Sequence, residues 1–104
     1  MTQTQFIAQV RALAAEVPGV NAEATAAHAA NECTFGQSGL AHKANNLWGV
    51  KATGQHTPFW SGDFVEMPTW EVRDGVNVQE LARFRRYPSW FEAIADYADI
   101  ASRV

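Results

Sequence analysis

The sequence predicts an α+β domain in which the helices and a β-hairpin occupy separate regions. Apolar residues recur at helical spacing near both ends of the chain, and an alanine-rich segment follows the first of these stretches. In the middle, two runs rich in β-branched and aromatic residues flank Asp74-Gly75. The order helix, helix, hairpin, helix segregates the two kinds of structure, which is typical of the α+β class. With 104 residues the chain has room for one core, so we expect a single domain over residues 1–104.

Two helices are predicted in the first third of the chain. The apolar stripe of the first helix comprises Phe6, Ile7, Val10, Leu13, Ala14 and Val17. Pro18-Gly19 ends it. Asn21 is the expected N-cap of the second, which runs to Glu32 and consists largely of alanine. Alanine lets neighbouring elements approach the backbone closely, so we expect this helix to be buried at the centre. A short helical turn over residues 38–44 and a break at Asn45-Asn46 follow.

A β-hairpin is predicted over residues 64–85, because Asp-Gly between such runs favours a two-residue turn. The register pairs Arg73 with Val76, Glu71 with Val78, Thr69 with Glu80 and Val65 with Phe84. Glu71 then shares a face with apolar residues, whereas Trp70 and Val72 point the other way. A carboxylate on an apolar face is unusual and marks Glu71 as a candidate functional residue.

The last helix is predicted to begin at Ser89, which forms a capping box with Glu92 after Pro88. Its apolar face comprises Trp90, Phe91, Ile94, Tyr97, Ala98 and Ala101. We expect Arg83, Arg85 and Arg86, just before this helix, to form a solvated strand face.

Composition and charge exclude several functions. The net charge is −3 and the pI is near 5.5, which disfavours nucleic-acid binding and attraction to anionic membranes. No apolar stretch is long enough to insert into a bilayer, and the N-terminus carries no recognisable signal peptide. One cysteine, Cys33, and the absence of metal-ligand spacing predict no disulfide, no metal site and no cofactor. We expect a monomer.

Glu32 and Cys33 are adjacent candidates for chemistry at the end of the alanine-rich helix. Backbone carbonyls at a helix C-terminus disfavour negative charge, and a carboxyl group kept protonated can act as a general acid. The alternative is a solvated glutamate at a helix end. Reactive cysteines favour helix N-termini, so the opposite position of Cys33 predicts a structural, unreactive thiol.

Aromatic residues outnumber what so small a core requires. The set comprises Phe35, Trp48, Phe59, Trp60, Trp70 and Tyr87. Some could stack on sugar rings, and core packing is the alternative for at least half of them.

Four motifs resemble glycoside hydrolase family 73, the glucosaminidase-type peptidoglycan hydrolases. In order they are AHAANECTFGQS (27–38), ANNLWGVK (44–51), TWEVRDG (69–75) and FRRYPSW (84–90) followed by Asp96-Tyr97. They are similar to the family's AQAALESGWGKS, NNLFGIK, T-x-E-Y-x-N-G and FRxYxSW with DY. The matches extend from about Phe6 to Ile100. His28 replaces the glutamine of the first motif, and Cys33, Thr34, Phe35 and Gln37 also differ from it.

The resemblance implies a lysozyme-like fold in which a hairpin flanks the substrate groove of a mainly helical lobe. It implies hydrolysis of β-1,4 bonds in bacterial peptidoglycan after N-acetylglucosamine, with Glu32 as the proton donor and Glu71 as the second carboxylate. The expected substrate-binding residues are Phe35, Ser38, Asn46, Trp48 and Tyr87. The expected partner is the peptidoglycan glycan strand. The chain would reach it as a phage lysin or as a domain of a larger exported protein.

Two other functions remain open from the sequence. A muramidase or lytic transglycosylase on the same scaffold also needs one glutamate after the central helix. A non-catalytic glycan-binding or tail-structural domain would need neither glutamate.

Overall fold

The computed structural model describes residues 1–54 and 56–103. In these ranges the chain forms four helices and one two-stranded antiparallel sheet, which confirms the predicted α+β class. The elements are α1 (Gln3–Ala14), α2 (Ala22–Glu32), α3 (Gly39–Ala44), β1 (Phe64–Arg73), β2 (Val76–Arg85) and α4 (Trp90–Ala101). No helix within the described ranges has the length and apolarity needed to cross a membrane.

The main core lies between α1, α2 and α4. Its buried side chains include Phe6 and Val10 of α1, Ala26, Ala29 and Ala30 of α2, and Ile94 of α4. Helix α1 starts at a capping box between Thr2 and Gln5 and ends at Ala14, before the predicted stripe does. Turns at Glu16 and Val17 continue the chain, so Val17 still packs against the core. Asn21 caps α2 as predicted, through a bond from the backbone N–H of Ala24 to its side chain.

The prediction that α2 is buried at the centre of the domain holds for one face of the helix only. Only the Ala26, Ala29 and Ala30 face is buried, and His28 and Glu32 are exposed on the opposite face. Small side chains allow α1 to approach closely on one side, and the other side remains open for a site.

The hairpin has the predicted register, from Arg73↔Val76 to Phe64↔Arg85. Asp74 and Gly75 both have positive φ (53° and 78°), as a two-residue hairpin turn requires. One face is half-buried, and Met67 on it packs against Gly39, where an added Cβ would lie 3.2 Å from the Met67 Cε. The half-buried face of the hairpin therefore adjoins the start of α3.

The expectation of a solvated arginine face holds for two of its three residues. Arg83 and Arg86 are exposed and pair with Glu66 and Asp63. Arg85 is only 2% exposed, because β2 ends there and its side chain enters the protein interior. It binds the fully buried Asp96 at 3.0 Å.

Candidate active site

Glu32 stands at the rim of a cleft of about 230 Å³ between the end of α2 and the loop after α3. The lining residues are Glu32, Cys33, Ser38, Leu40, Asn46, Leu47, Trp48 and Gly49. The structure thus brings together four predicted site residues: Glu32, Ser38, Asn46 and Trp48. The Glu32 side chain is 51% exposed, so its carboxyl group is accessible to a ligand.

A tight backbone reversal after Glu32 shapes this cleft. Thr34, Phe35 and Gly36 are all left-handed, with φ of 53°, 54° and 82°. At Gly36 an added Cβ would lie 2.9 Å from the Phe6 ring, so glycine is required there for space as well as conformation. Thr34 and Phe35 are strained in this region by about 1 kcal/mol or more each. The reversal brings the chain back, so that Ser38 lies near Glu32. The sequence does not predict this reversal, because the motif contains only one glycine.

Cys33 lies beneath Glu32 as a buried structural thiol, as predicted. Its Sγ donates to the carbonyl of Ala29 at 2.9 Å and accepts the backbone N–H of Gly36 at 3.2 Å. Burial raises the pKa of the Cys33 thiol, so little thiolate forms near neutral pH. The thiol therefore stabilises the reversal and is poorly suited to nucleophilic attack.

Ser38 and Asn46 border the cleft with polar groups that already bind the backbone. The Ser38 hydroxyl caps α3 by accepting the N–H of Ala41 at 3.1 Å. Asn46 is 1% exposed, and its amide nitrogen donates to the carbonyls of Val50 and Arg85 at 2.9 Å each. Its oxygen accepts the N–H of Val50 at 3.0 Å. Both residues define the shape of the cleft; direct recognition of substrate by them stays a prediction.

Trp48 offers an indole ring to the same cleft. The ring is half-buried and stacks on Tyr97 of α4, with centroids 4.4 Å apart and planes 9° apart. Its Nε1–H donates to Nδ1 of His28 at 3.1 Å, and Nε2 of His28 lies 3.4 Å from Glu32 Oε1. A chain of polar contacts thus joins the indole to the carboxyl group.

The structure does not bring Phe35 and Tyr87 into this cleft. Phe35 packs edge-on to Phe6 at 6.3 Å and lines a different cavity, of about 290 Å³, beside Trp90. Tyr87 is 3% exposed and its hydroxyl donates to Asp96 inside the protein. Burial and this carboxylate raise the pKa of Tyr87. Its expected role in substrate binding is not supported by this geometry, because the ring and the hydroxyl are both enclosed.

Glu71 lies on the half-buried face of the hairpin, as the register predicts. Its neighbourhood is charged and not only apolar, because Lys51 Nζ lies 3.5 Å from Glu71 Oε1. Lys51 forms a bridge with Phe84, whose partner Val65 precedes Glu71 by six residues. Six residues of straight strand span about 20 Å. The contact therefore shows that the hairpin curls toward the loop that carries Trp48 and Lys51.

Among the described residues, no group of three or more histidine, cysteine or acidic side chains could hold a metal ion. The arrangement offers a half-exposed carboxyl group in one cleft with an aromatic ring. A second carboxylate, Glu71, lies on the hairpin beside Lys51.

Comparisons with known proteins identify the family of this chain. The family model described as glucosaminidase, mannosyl-glycoprotein endo-beta-N-acetylglucosaminidase, matches residues 8–103. The exo-glucosaminidase LytG of Bacillus subtilis is 40% identical over 79 residues, which make up 76% of this chain and 26% of that protein. The peptidoglycan hydrolase FlgJ of Escherichia coli K12 is 34% identical over 105 residues, covering 94% of this chain and 32% of FlgJ. The chain thus spans about a quarter to a third of these relatives.

Solved structures show the same fold. The catalytic domain of the autolysin Auto from Listeria monocytogenes superposes with a TM-score of 0.79 at 31% identity, over 93% of this chain and 54% of that one. The glycoside hydrolase domain of FlgJ from Salmonella typhimurium gives 0.71 at 30% identity, over 100% of this chain and 63% of that one. With the family match covering nearly the whole sequence, the chain belongs to the glucosaminidase family.

Proposed function

We propose that this chain hydrolyses β-1,4 glycosidic bonds of bacterial peptidoglycan as an endo-β-N-acetylglucosaminidase. Membership of the glucosaminidase family and the peptidoglycan hydrolases among its relatives support the substrate class. The observation that carries the proposal is the position of Glu32, half-exposed at the rim of a cleft that also contains Trp48. Because this substrate lies outside the cytoplasmic membrane, the chain would reach it as a phage lysin or within a larger exported protein.

In this mechanism Glu32 is the general acid. Its carboxyl proton passes to the glycosidic oxygen while the bond from that oxygen to the sugar C1 breaks. The half-buried Trp48 ring beside it provides an apolar face on which a sugar ring can stack. The proton donor and the stacking surface thus belong to one cleft.

The second step needs a nucleophile at C1, and Glu71 is the candidate that activates it. Water attacks C1 on the face opposite the leaving group and transfers its proton to Glu71, which inverts the anomeric configuration. The Lys51 ammonium, 3.5 Å from Glu71 Oε1, orients this carboxylate. The competing route uses the 2-acetamido group of the sugar as nucleophile and leaves Glu71 an accessory role.

The test compares Glu32→Gln with Glu23→Gln in a turbidity assay on purified cell walls. Glu23 is an exposed glutamate in the first turn of the same helix, paired with Arg11 at 3.5 Å. We expect Glu32→Gln to abolish clearing because an amide cannot donate an acidic proton, and Glu23→Gln to clear walls like the wild type. Wild-type clearing by Glu32→Gln would refute the assigned acid.

Analysis of the cleaved ends identifies the bond. New reducing ends on N-acetylglucosamine support the proposed specificity. New reducing ends on N-acetylmuramic acid would indicate a muramidase. Anhydro ends on N-acetylmuramic acid would indicate a lytic transglycosylase. If the protein bound cell walls without producing any new ends, it would be a glycan-binding domain and not an enzyme.

A further inference from the structure

We propose that His28 is a positioning residue for the proton donor: a neutral imidazole whose orientation Trp48 fixes and whose Nε2–H holds the Glu32 carboxyl group. This inference rests on the proposed function, since it concerns how Glu32 is presented to the substrate. His28 and Glu32 lie four residues apart on the exposed face of α2, so their side chains are neighbours.

Trp48 determines which nitrogen of His28 carries the proton. An indole N–H can only donate, and it lies 3.1 Å from His28 Nδ1, so Nδ1 must offer a lone pair. The proton of the neutral imidazole is therefore on Nε2, the nitrogen that lies 3.4 Å from Glu32 Oε1. The Trp48–His28–Glu32 contacts thus form a directed chain of donors that ends at the carboxyl group.

Aromatic contacts hold the imidazole in this orientation. Its centroid lies 6.2 Å from that of Trp48 and 5.9 Å from that of Tyr97. Trp48 and Tyr97 are themselves stacked, so elements other than α2 restrain the ring. A half-exposed side chain without such restraints would sample several rotamers. Restrained in this way, His28 can in turn restrict the rotamers of Glu32.

The consequence for catalysis is the placement of one proton. With its Nε2 located 3.4 Å from Oε1, His28 favours that oxygen as the acceptor and leaves Oε2 to carry the acidic proton. The groups that contact His28 are Glu32 from α2, Tyr97 from α4 and Trp48 from the loop after α3.

Glutamine is the informative substitution because it retains hydrogen bonding without the imidazole ring. Its side-chain oxygen can accept from the Trp48 indole and its amide can donate to Glu32. Phenylalanine retains the tilted ring contacts with Trp48 and Tyr97 and removes both polar contacts. His42, exposed on α3, provides a control histidine.

The experiment measures kcat and KM on soluble peptidoglycan fragments for His28→Phe, His28→Gln and His42→Phe at one pH. We expect His28→Phe to lower kcat roughly tenfold with little change in KM, as for the loss of a hydrogen bond to a carboxyl group. His28→Gln should retain most of kcat, and His42→Phe should match the wild type. An unchanged kcat in His28→Phe would overturn the proposal.

Nitrogen-15 NMR of the histidine rings tests the same inference without activity. The proposal requires an unprotonated Nδ1 and a protonated Nε2 at His28 near neutral pH, and loss of that preference in Trp48→Phe. A protonated Nδ1 would overturn it. If no variant, including the wild type, cleaves peptidoglycan, the proposed function fails, and the tautomer still decides whether the donor chain exists.

Discussion

Replacing Asp96 by alanine should destabilise the protein more than any surface change, because this carboxylate organises a buried polar cluster. Asp96 is fully buried on α4 and accepts the hydroxyl protons of Thr57 and Tyr87. It also pairs with the guanidinium of Arg85, which is 2% exposed, at 3.0 and 3.3 Å. Asp96→Ala leaves that buried cation without its carboxylate and two hydroxyl groups without their acceptor.

The expected loss in free energy of unfolding is about 3–5 kcal/mol, as for removal of one partner from a buried ion pair. Arg85 keeps its bonds to the carbonyls of Lys51 and Thr53, and its contact 4.0 Å over the Trp60 ring. These contacts hold the guanidinium in place, so it cannot move easily to solvent. For a domain of this size the loss corresponds to a fall in Tm of at least roughly 12 °C.

Urea denaturation followed by tryptophan fluorescence and circular dichroism measures this loss. Asp99→Ala is the matched control, since Asp99 lies one turn later on α4 and makes a partly exposed pair with Arg103 at 2.7 Å. That pair should contribute at most about 1 kcal/mol. If Asp96→Ala stays within 1 kcal/mol of the wild type, the cluster is not the stabilising centre that its burial indicates.

Further predictions concern the site. If Glu71 activates water, Glu71→Gln should slow hydrolysis roughly a hundredfold, and azide should restore turnover and give a product of inverted configuration. Glu66 lies on the opposite face of β1, so Glu66→Gln should not slow hydrolysis. Retained activity and strong inhibition by a thiazoline analogue would favour the acetamido route. Trp48→Ala should weaken chitooligosaccharide binding about tenfold and lower the free energy of unfolding by about 2 kcal/mol, which is less than for a fully buried tryptophan. Melting curves measure the loss of stability, and glycan titrations measure the loss of binding. The Cys33 pKa is raised by burial, so at pH 8 its alkylation should be much slower in the folded protein than in urea.

Local sequence signals were sufficient for most of the fold. The Asp74-Gly75 turn determined the hairpin register, and the cap at Asn21 located the start of α2. The motif that carries Glu32 located the cleft. The role of Tyr87 could not be read this way, because whether an aromatic residue packs inward or lines a groove depends on long-range contacts. The burial of Arg85 could not be predicted for the same reason. Its partner Asp96 lies eleven residues later and contacts it only after α4 packs.

Arg85, a motif residue that does not line the cleft, attaches the hairpin to the helices. The carbonyl of Arg85 accepts the Asn46 amide, and its side chain binds the backbone of Lys51 and Thr53 and the carboxylate of α4. These bonds join the end of β2, the loop after α3 and α4 at one point. Since Glu71 lies toward the far end of the same hairpin, a small rotation at this point would move its carboxylate by several ångströms. We therefore expect the buried cluster to influence where Glu71 stands relative to Glu32.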